Sequence, residues 1–240
     1  MMKPFAALNV VLARPSHPGN IGSAARALKT MGFHRLTLVA PKQFPDPQAE
    51  ALASGAVDVL AQATVVTQIE AALASATLVF GLSSRRRDLS PPLLDARCAA
   101  QKIAEHCQAG GEVALLFGNE TTGLTIDELA HCDYWVSIPS NPAYPSLNLA
   151  AAVQLVCYEI RMALNAALPV PAFANAPASH AEVLALLAHL EQALVRSAFL
   201  DPARPGRLMQ RLQRLFQRAQ LEKEEVNILR GVIAALTNVD

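Results

Sequence analysis

The sequence predicts an α/β fold: a parallel sheet flanked by helices, followed by a small all-helical extension. Short apolar runs recur through the first two-thirds of the chain, and stretches with helical spacing separate them. Near-continuous apolar runs are typical of strands covered on both faces, and strands that alternate with helices form a parallel sheet. The last third of the chain has helical spacing only, which predicts the extension.

The elements follow in order along the chain. The predicted strands are LNVVLA, RLTLVA, ATLVFGL, EVALLFG and YWVSIP. The helices between them are predicted at AARALKTMG, around AEALASGA, and at LDARCAAQKIAEHCQ. A long apolar helix is expected from Ser146 to about residue 167. We therefore predict one domain over residues 1–165, a Pro- and Ala-rich linker over 166–179, and the helical extension over 180–240.

The composition favours a cytoplasmic globular protein. Of the 240 residues, 52% are hydrophobic and 17% are charged, which is enough for a buried core and unlike a disordered chain. The apolar runs are too short or too interrupted for a membrane span. The N-terminal MMKPFAALNVVLARP loosely resembles a signal peptide, but Asn9 interrupts the apolar stretch and Arg14-Pro15 stands in place of a cleavage site.

The cysteine spacing argues against disulfides and metal sites, and the net charge argues against general attraction to nucleic acid. The four cysteines form no C-x-x-C pair and have no matching His spacing, so we expect neither disulfides nor a metal site. The net charge is zero, so no overall field attracts nucleic acid. Fifteen of the twenty basic residues are Arg, the better bidentate ligand of phosphate.

A first candidate motif is SHPGNIGSAARALKTMG, residues 16–32. Gly19 and Gly22 permit close approach of the backbone, and Asn20 is expected to cap a helix. Arg26 then lies about one and a half turns into that helix. A plain strand-to-helix turn with a surface Arg explains this stretch equally well.

Two nucleotide-binding signatures are missing from the sequence. No G-x-G-x-x-G occurs, so a dinucleotide site has no support. GNETTGL, residues 118–124, has the glycine spacing of a Walker loop, but Leu124 occupies the position of the required Lys.

Two more candidate motifs follow predicted strands. In LLFGNETTGLTIDEL, a buried strand leads into a glycine turn that carries Glu120, and Thr125 with Glu128 predicts a capping box. A lone Glu in such a turn is usually structural. In SIPSNPAYPSLNLAAAVQ, three prolines precede Ser146, which is expected to cap the long helix and, with Asn148, to bind a ligand. All three motifs thus lie at the carboxyl ends of strands, where ligands of parallel sheets bind.

Together the three motifs resemble those of the SPOUT superfamily of RNA methyltransferases. N-x-G-x-x-x-R matches Asn20, Gly22 and Arg26, F-G-x-E-x-x-G matches residues 117–123, and S-L-N matches 146–148. Within the superfamily the chain is most similar to the TrmJ branch, whose members methylate the ribose 2′-oxygen of tRNA nucleotide 32. The helical tail, FLDPARPGRLMQRLQRLFQRAQLEKEEVNILRG, resembles the C-terminal extension of that branch.

The resemblance implies a deep C-terminal trefoil knot that binds S-adenosylmethionine. The cofactor residues that it implies are Leu82, Ser83, Ser84, Leu116, Gly118, Ile138, Ser146, Leu147 and Asn148. The catalytic group that it implies consists of Arg26, Asn20, Glu120, Ser146 and Asn148. Arg26 is the proton acceptor or its helper in such a site, but a guanidinium stays protonated, so we favour stabilisation of a developing alkoxide. Glu120 is expected to hold the first motif in place.

RNA contacts and a partner subunit are also expected. The candidate RNA-binding residues are Arg26, Arg85, Arg86, Arg87, Arg207, Arg211, Arg214 and Arg218. The last four recur at spacings of four, three and four, so they share one helix face, which either follows phosphates or is simply solvated. The long helix is apolar all round, which predicts a homodimer. The resemblance to the TrmJ branch implies that the substrate is tRNA.

Two other functions remain open at this level. One is a non-catalytic RNA-binding module with the same fold, although all five catalytic candidates are retained. The other is methylation of a different tRNA or ribosomal RNA nucleotide, which the helical tail disfavours.

Overall fold

The structure, a computed structural model, describes residues 3–83, 91–165 and 175–237. The chain divides into two compact units, Met1–Ala172 and Phe173–Asp240. The first unit contains the sheet, and the second contains helices only in the part that the structure describes. This arrangement confirms the predicted α/β class with a helical extension.

A seven-stranded sheet forms the centre of the first unit. Its strands are β1 (Leu8–Ala13), β2 (Arg35–Val39), β3 (Thr64–Val66), β4 (Leu78–Leu82), β5 (Leu93–Asp95), β6 (Val113–Phe117) and β7 (Tyr134–Ser137). They lie in the order β3-β2-β1-β6-β4-β7-β5, and every neighbouring pair is parallel. The five predicted strands are confirmed. The two edge strands were not predicted, because each has only three residues and is largely exposed.

Helices cover both faces of this sheet. They are α1 (Lys3–Ala6), α2 (Pro18–Thr30), α3 (Pro47–Ala53), α4 (Val57–Ala61), α5 (Ile69–Leu73), α6 (Ala96–Gln108), α7 (Ile126–Ala130) and α8 (Leu149–Asn165), with a 3-10 turn at Ser54–Ala56. Alternate residues of β1 face opposite sides. Val10 and Leu12 pack in the core with α2, α6 and α8, while Val11 and Ala13 pack with α5 and α7. Burial on both faces explains why the central strands are continuously apolar.

The glycines of the first motif serve helix packing. A Cβ on Gly22 would lie 2.0 Å from the carbonyl oxygen of Ala49 in α3, and one on Gly19 would lie 2.7 Å from the Leu52 side chain. Only glycine permits α2 to approach α3 so closely. The backbone-permissive residues of this motif are therefore explained without a bound phosphate.

Two predicted helix caps are wrong. Helix α2 begins at Pro18 with His17 as its N-cap, so Asn20 lies within the first turn and Arg26 lies more than about two turns along. Proline is favoured at the first helical position, because its missing N–H has no partner there. Helix α8 begins at Leu149, and the cap is Asn148 rather than Ser146: its Oδ1 accepts from the backbone N–H groups of residues 150 and 151 at 2.9 and 3.3 Å.

The second unit consists of α9 (His180–Arg196), α10 (Leu208–Ala219) and α11 (Lys223–Thr237). Its small core contains Ala178, Leu186 and Val226, with Phe216 packed against it. Ala178 N donates to Leu221 O at 2.8 Å, so the end of the predicted 166–179 linker packs on the helical unit. Residues 166–174 of that linker lie outside the described residues.

Cys98 is exposed, Cys107, Cys132 and Cys157 are buried, and all four are free thiols. Among the described residues, no helix has the length and apolarity needed to cross a membrane. The same residues contain no group of three or more His, Cys, Asp or Glu side chains placed to hold a metal ion.

Candidate active site

A cavity of about 270 Å³ opens at the carboxyl ends of β4, β6 and β7. Its lining combines the segments that follow these strands with the start of α8. The lining residues are Leu82, Ser83, Phe117, Gly118, Asn119, Glu120, Thr121, Thr122, Gly123, Val136, Ile138, Pro145, Ser146, Leu147, Leu149 and Ala152. The second and third motifs therefore meet at one site, as their positions after parallel strands predict.

Most of the predicted cofactor residues line this cavity, namely Leu82, Ser83, Gly118, Ile138, Ser146 and Leu147. Leu116 does not: it is fully buried and packs in the core on the α5 and α7 side of the sheet. Side chains alternate along a strand, so Phe117 lines the cavity and its neighbour points away. Asn148 is turned toward Asn20, and Ser84 lies outside the described residues.

The Glu120 carboxylate joins the second motif to the first. Its Oε2 accepts from Ser16 N at 2.9 Å and from Ser16 Oγ at 2.6 Å. Its Oε1 accepts from His17 N at 3.2 Å and from Asn20 Nδ2 at 3.0 Å. Both oxygens therefore face the amino end of α2, where the helix dipole favours a negative charge.

These contacts keep Glu120 charged. Burial alone would raise the pKa of the carboxyl, but the hydrogen bonds from Ser16 and Asn20 lower it from an ordinary 4.5 to about 2. A carboxylate with so low a pKa and four donors is a poor general base near pH 7. Its geometry suits the orienting role predicted from the sequence.

Asn20 is also hydrogen-bonded to the third motif. Its Oδ1 accepts from Asn148 Nδ2 at 3.1 Å, while its own amide donates to Glu120. Asn148 in turn caps α8 through its side-chain oxygen. One continuous set of hydrogen bonds therefore links Glu120, Asn20 and Asn148, which the sequence placed in three separate motifs.

A second connection runs through Arg14, which follows β1. Its Nε and Nη2 donate to the two carboxylate oxygens of Glu128, each at 2.8 Å, and Nη2 also lies 3.3 Å from Gly123 O. Asn119 Nδ2 donates to Arg14 O at 2.8 Å and to Ser16 Oγ at 3.1 Å. Burial would raise the pKa of Glu128, but the paired guanidinium lowers it.

The Glu128 side chain also completes the predicted capping box. Thr125 N donates to Glu128 Oε2 at 2.7 Å, and Glu128 N donates to Thr125 Oγ at 3.1 Å. The capping box is therefore confirmed. That the same carboxylate also binds Arg14 could not be predicted from local sequence, because the two residues are 114 positions apart.

Ser83 is held at the cavity edge by the neighbouring strand. Trp135 Nε1 donates to Ser83 O at 2.6 Å, and Ser83 N donates to Val136 O at 3.1 Å. Trp135 is the only tryptophan of the chain and is almost fully buried. An indole N–H that is buried needs an acceptor, and here it fixes the backbone beside the cavity.

The predicted RNA-binding residues lie elsewhere. Arg26 is exposed on α2, does not line the cavity, and makes no hydrogen bond or ion pair with the described part of the chain. Arg85, Arg86 and Arg87 lie outside the described residues. Arg207, just before α10, and Arg211, Arg214 and Arg218 of α10 are all exposed in the second unit.

The donor set of the cavity suits a nucleoside-containing cofactor. Apolar side chains of Leu82, Phe117, Ile138 and Leu147 offer a surface for a flat ring, and the hydroxyl of Ser146 offers a partner for a sugar. Gly118 brings two backbone segments together at the cavity wall, since a Cβ there would lie 2.2 Å from Leu124 N.

Sequence reasoning missed several residues of this site. Phe117, Pro145 and Leu149 line the cavity, and their positions inside or beside the matched motifs were the available signal. The roles of Ser16 and Arg14 could not be predicted from the sequence, because their partners lie more than a hundred positions away in the chain.

Comparison with known proteins agrees with these motifs. The model of the SpoU rRNA methylase family matches residues 7–158, and that of the C-terminal domain of the tRNA methyltransferase TrmJ matches residues 181–239. A curated relative from Pseudomonas aeruginosa, a tRNA (cytidine/uridine/adenosine-2′-O-)-methyltransferase TrmJ, is 48% identical over 97% of this chain and 94% of its own length.

Two solved structures extend the comparison. The crystal structure of TrmJ from Z. mobilis ZM4 has a TM-score of 0.84 and 35% identity, covering 95% of this chain and 98% of its own. The SpoU methyltransferase AviRb from Streptomyces viridochromogenes, solved with AdoMet, has a TM-score of 0.51 and 26% identity over 66% of this chain and 61% of its own.

Proposed function

Because the chain belongs to the SpoU methylase family and carries a TrmJ C-terminal domain, we propose that it methylates the ribose 2′-oxygen of tRNA nucleotide 32 with S-adenosylmethionine. The match to TrmJ relatives covers nearly all of the chain, including the tail, which favours a tRNA substrate over ribosomal RNA. The choice of nucleotide 32, in the anticodon loop, rests on the resemblance to the TrmJ branch.

One observation supports a catalytic function: Glu120, which lines the cavity, forms a single hydrogen-bonded set with Asn20 and Asn148. A non-catalytic RNA-binding module has no need to join three motifs beside a cavity that the second and third of them line. Groups held in fixed geometry are what an in-line transfer requires, because positioning supplies much of the rate gain.

The cavity residues identified above are the proposed cofactor site. Leu82, Ser83, Gly118, Ile138 and residues 146–147 would hold S-adenosylmethionine there. When bound, the cofactor supplies the methyl group from its sulfonium. The trefoil knot is part of the same proposal and rests on the resemblance of the three motifs to the SPOUT superfamily.

Arg26 is the proposed partner of the reacting ribose. A guanidinium stays protonated, so it would stabilise the negative charge that develops on the 2′-oxygen rather than accept its proton. Glu120 orients Ser16, His17 and Asn20, and its four hydrogen bonds leave it unsuited to proton abstraction.

A homodimer would complete the site. Helix α8 packs one face into its own domain, with buried Leu149, Val153, Val156 and Ile160. On the outer face, Leu155, Tyr158 and Met162 are 44%, 48% and 49% exposed and recur at helical spacing. A second copy that covers this face would explain the exposed apolar residues, and we propose that it also supplies an Arg26 to each cavity.

The exposed arginines of the second unit are proposed to bind tRNA phosphates. Arg211, Arg214 and Arg218 lie on one side of α10 and Arg207 is its N-cap residue. None of the four has an ion-pair partner among the described residues. Free arginines in a row are suited to phosphate contacts. A cytoplasmic location is consistent with a tRNA substrate.

The experiment that tests the proposal is a methyl-transfer assay. Purified protein and methyl-labelled S-adenosylmethionine are incubated separately with unmodified tRNA and with ribosomal RNA. We expect label in tRNA only. Label in ribosomal RNA alone would support the related rRNA activity, and binding of tRNA without incorporation would support the non-catalytic module.

A further inference from the structure

Arg14 holds both ends of the loop that carries Glu120. We define the Glu120 loop as residues 118–123. Near its start, Asn119 Nδ2 donates to Arg14 O at 2.8 Å, and at its end Gly123 O lies 3.3 Å from Arg14 Nη2. Beyond the loop, the guanidinium forms a two-pronged pair with Glu128 in the first turn of α7.

The backbone of Arg14 is in an uncommon conformation. Its φ is 51°, in the left-handed region that non-glycine residues rarely adopt. Such a conformation persists only where the surroundings hold it, and it clusters at functional sites. Here the turn directs the carbonyl of Arg14 to Asn119 while its side chain reaches Gly123 and Glu128.

Arg14 is also partly shielded from water. Its side chain is 38% exposed and that of Glu128 only 12%, and both prongs of the pair are 2.8 Å long. Bidentate arginine–carboxylate pairs fix geometry as well as supply energy, which distinguishes them from loose surface pairs. The Glu120 loop is thus tied to β1 by one residue that does not itself line the cavity.

We propose that Arg14 is a positioning residue for methyl transfer, because it sets the Glu120 loop against the amino end of α2. The inference rests on the proposed function for its catalytic part. It acts through Asn119, Gly123 and Glu128, which fix the wall of the cavity and the place of Glu120. Without Arg14, the Glu120 loop would keep only the Glu120 contacts and the Asn119–Ser16 bond to the first motif.

The chain offers a matched control. Arg35 and Glu112 also form an ion pair, and Arg35 likewise donates to a backbone carbonyl, that of Ala6. This pair joins the amino ends of β2 and β6, at the end of the sheet away from the cavity. Arg35→Gln therefore removes a comparable ion pair without touching the Glu120 loop.

The test compares Arg14→Gln with Arg35→Gln in the full-length protein. Three quantities are measured: kcat with saturating tRNA, the Kd for S-adenosylmethionine, and amide hydrogen exchange over residues 118–124. We expect Arg14→Gln to lower kcat about tenfold, raise the Kd about threefold and accelerate exchange in the loop, whereas Arg35→Gln changes none of these. Similar melting temperatures for the two variants would exclude a general loss of stability as the cause.

Two more variants sharpen the result. Arg14→Lys keeps the charge but cannot form the fork, so it retains the fold and gives an intermediate loss. Combining Arg14→Gln with Glu128→Gln should cost no more in kcat than the larger single loss, because the two residues act as one unit.

Failure of this inference is distinguishable from failure of the proposed function. If wild type methylates tRNA and Arg14→Gln matches it in kcat, Kd and loop exchange, Arg14 is not a positioning residue. If wild type transfers no methyl group, the proposed function fails, but loop exchange still decides the role of Arg14. Unchanged exchange in both Arg14 variants overturns it.

Discussion

The side-chain amide of Asn20 donates a hydrogen bond to the Glu120 carboxylate at 3.0 Å, across a hundred positions of sequence. Asn148 donates to the other end of the same amide at 3.1 Å. Asn20 thus uses both its donor and its acceptor, and this fixes its orientation. The three motifs of the sequence are joined at this single side chain.

Changing Asn20 tests this junction. Asn20→Ala should lower kcat for methyl transfer by about tenfold or more, since Glu120 and Asn148 each lose a partner. Asn20→Asp should cost more than Asn20→Ala, because it places a second carboxylate against Glu120. As a control, Asn9→Ala removes a buried asparagine that bonds Thr37 and Ala72, so it should lower stability while kcat is kept. Equal activity of Asn20→Asp and wild type would contradict the account.

The ionisation of Glu120 gives a prediction about pH. Its pKa falls from an ordinary 4.5 to about 2 in the folded protein, so the folded state favours the charged form. The stabilisation is therefore fully present above pH 4.5 and is lost as the pH falls from there toward 2. Urea unfolding of wild type and Glu120→Gln should show a stability difference at pH 7 that shrinks between pH 4.5 and 3.

A control and a kinetic readout accompany this measurement. Glu105→Gln alters an exposed glutamate of α6, and its stability relative to wild type should change little over the same range. The pH–rate profile of wild type should show no inflection from Glu120 above pH 5. A Glu120-dependent inflection near pH 7 would make it a general base instead.

Arg26 is predicted to serve the reaction without serving cofactor binding. It is exposed and lies outside the cavity lining, so Arg26→Ala should abolish methyl transfer while the Kd for S-adenosylmethionine stays within about threefold. Calorimetric titration and a turnover assay measure the two effects. Near wild-type turnover in this variant would remove Arg26 from the site.

The same variant tests whether two copies share a site. If Arg26 of one copy serves the cavity of the other, Arg26→Ala and Asn20→Ala subunits should complement each other. An equal mixture that exchanges freely should recover about a quarter of wild-type activity, since half the dimers then hold one intact site of two. Recovery should be absent if each cavity uses its own Arg26, or if wild type sediments as a monomer.

The arginine row of the second unit predicts a salt-dependent contribution to tRNA binding. Arg211→Glu with Arg214→Glu should weaken tRNA binding and reduce the slope of log K against log salt by about one per arginine. The matched control changes Arg196 and Arg230, which are exposed on α9 and α11, to Glu. If both double variants weaken tRNA binding equally, the arginines of α10 act only through general surface charge. If neither double variant weakens binding, the arginines of α10 do not contact tRNA.

Local patterns were enough to predict the central strands and the Thr125 capping box. Burial on two faces produces a short apolar run, and a capping box produces a fixed spacing of two residues. The ends of α2 and α8 were misplaced, since Asn20, Ser146 and Asn148 are all residues that favour helix caps. The side on which Leu116 lies depends on strand alternation, which a motif match does not register. The Arg14–Glu128 pair spans 114 positions and could be seen only in the folded chain.

Mapping the methylated atom decides whether the protein is a 2′-O-methyltransferase of tRNA nucleotide 32. Unmodified tRNA is incubated with the protein and S-adenosylmethionine, and its nuclease fragments are analysed by mass spectrometry, with Arg26→Ala as the inactive control. We expect one added methyl group on the ribose of nucleotide 32, seen as a 2′-O-methylated nucleoside and absent from the control. Methylation of a base or of another nucleotide, or no methylation at all, would contradict the proposed function.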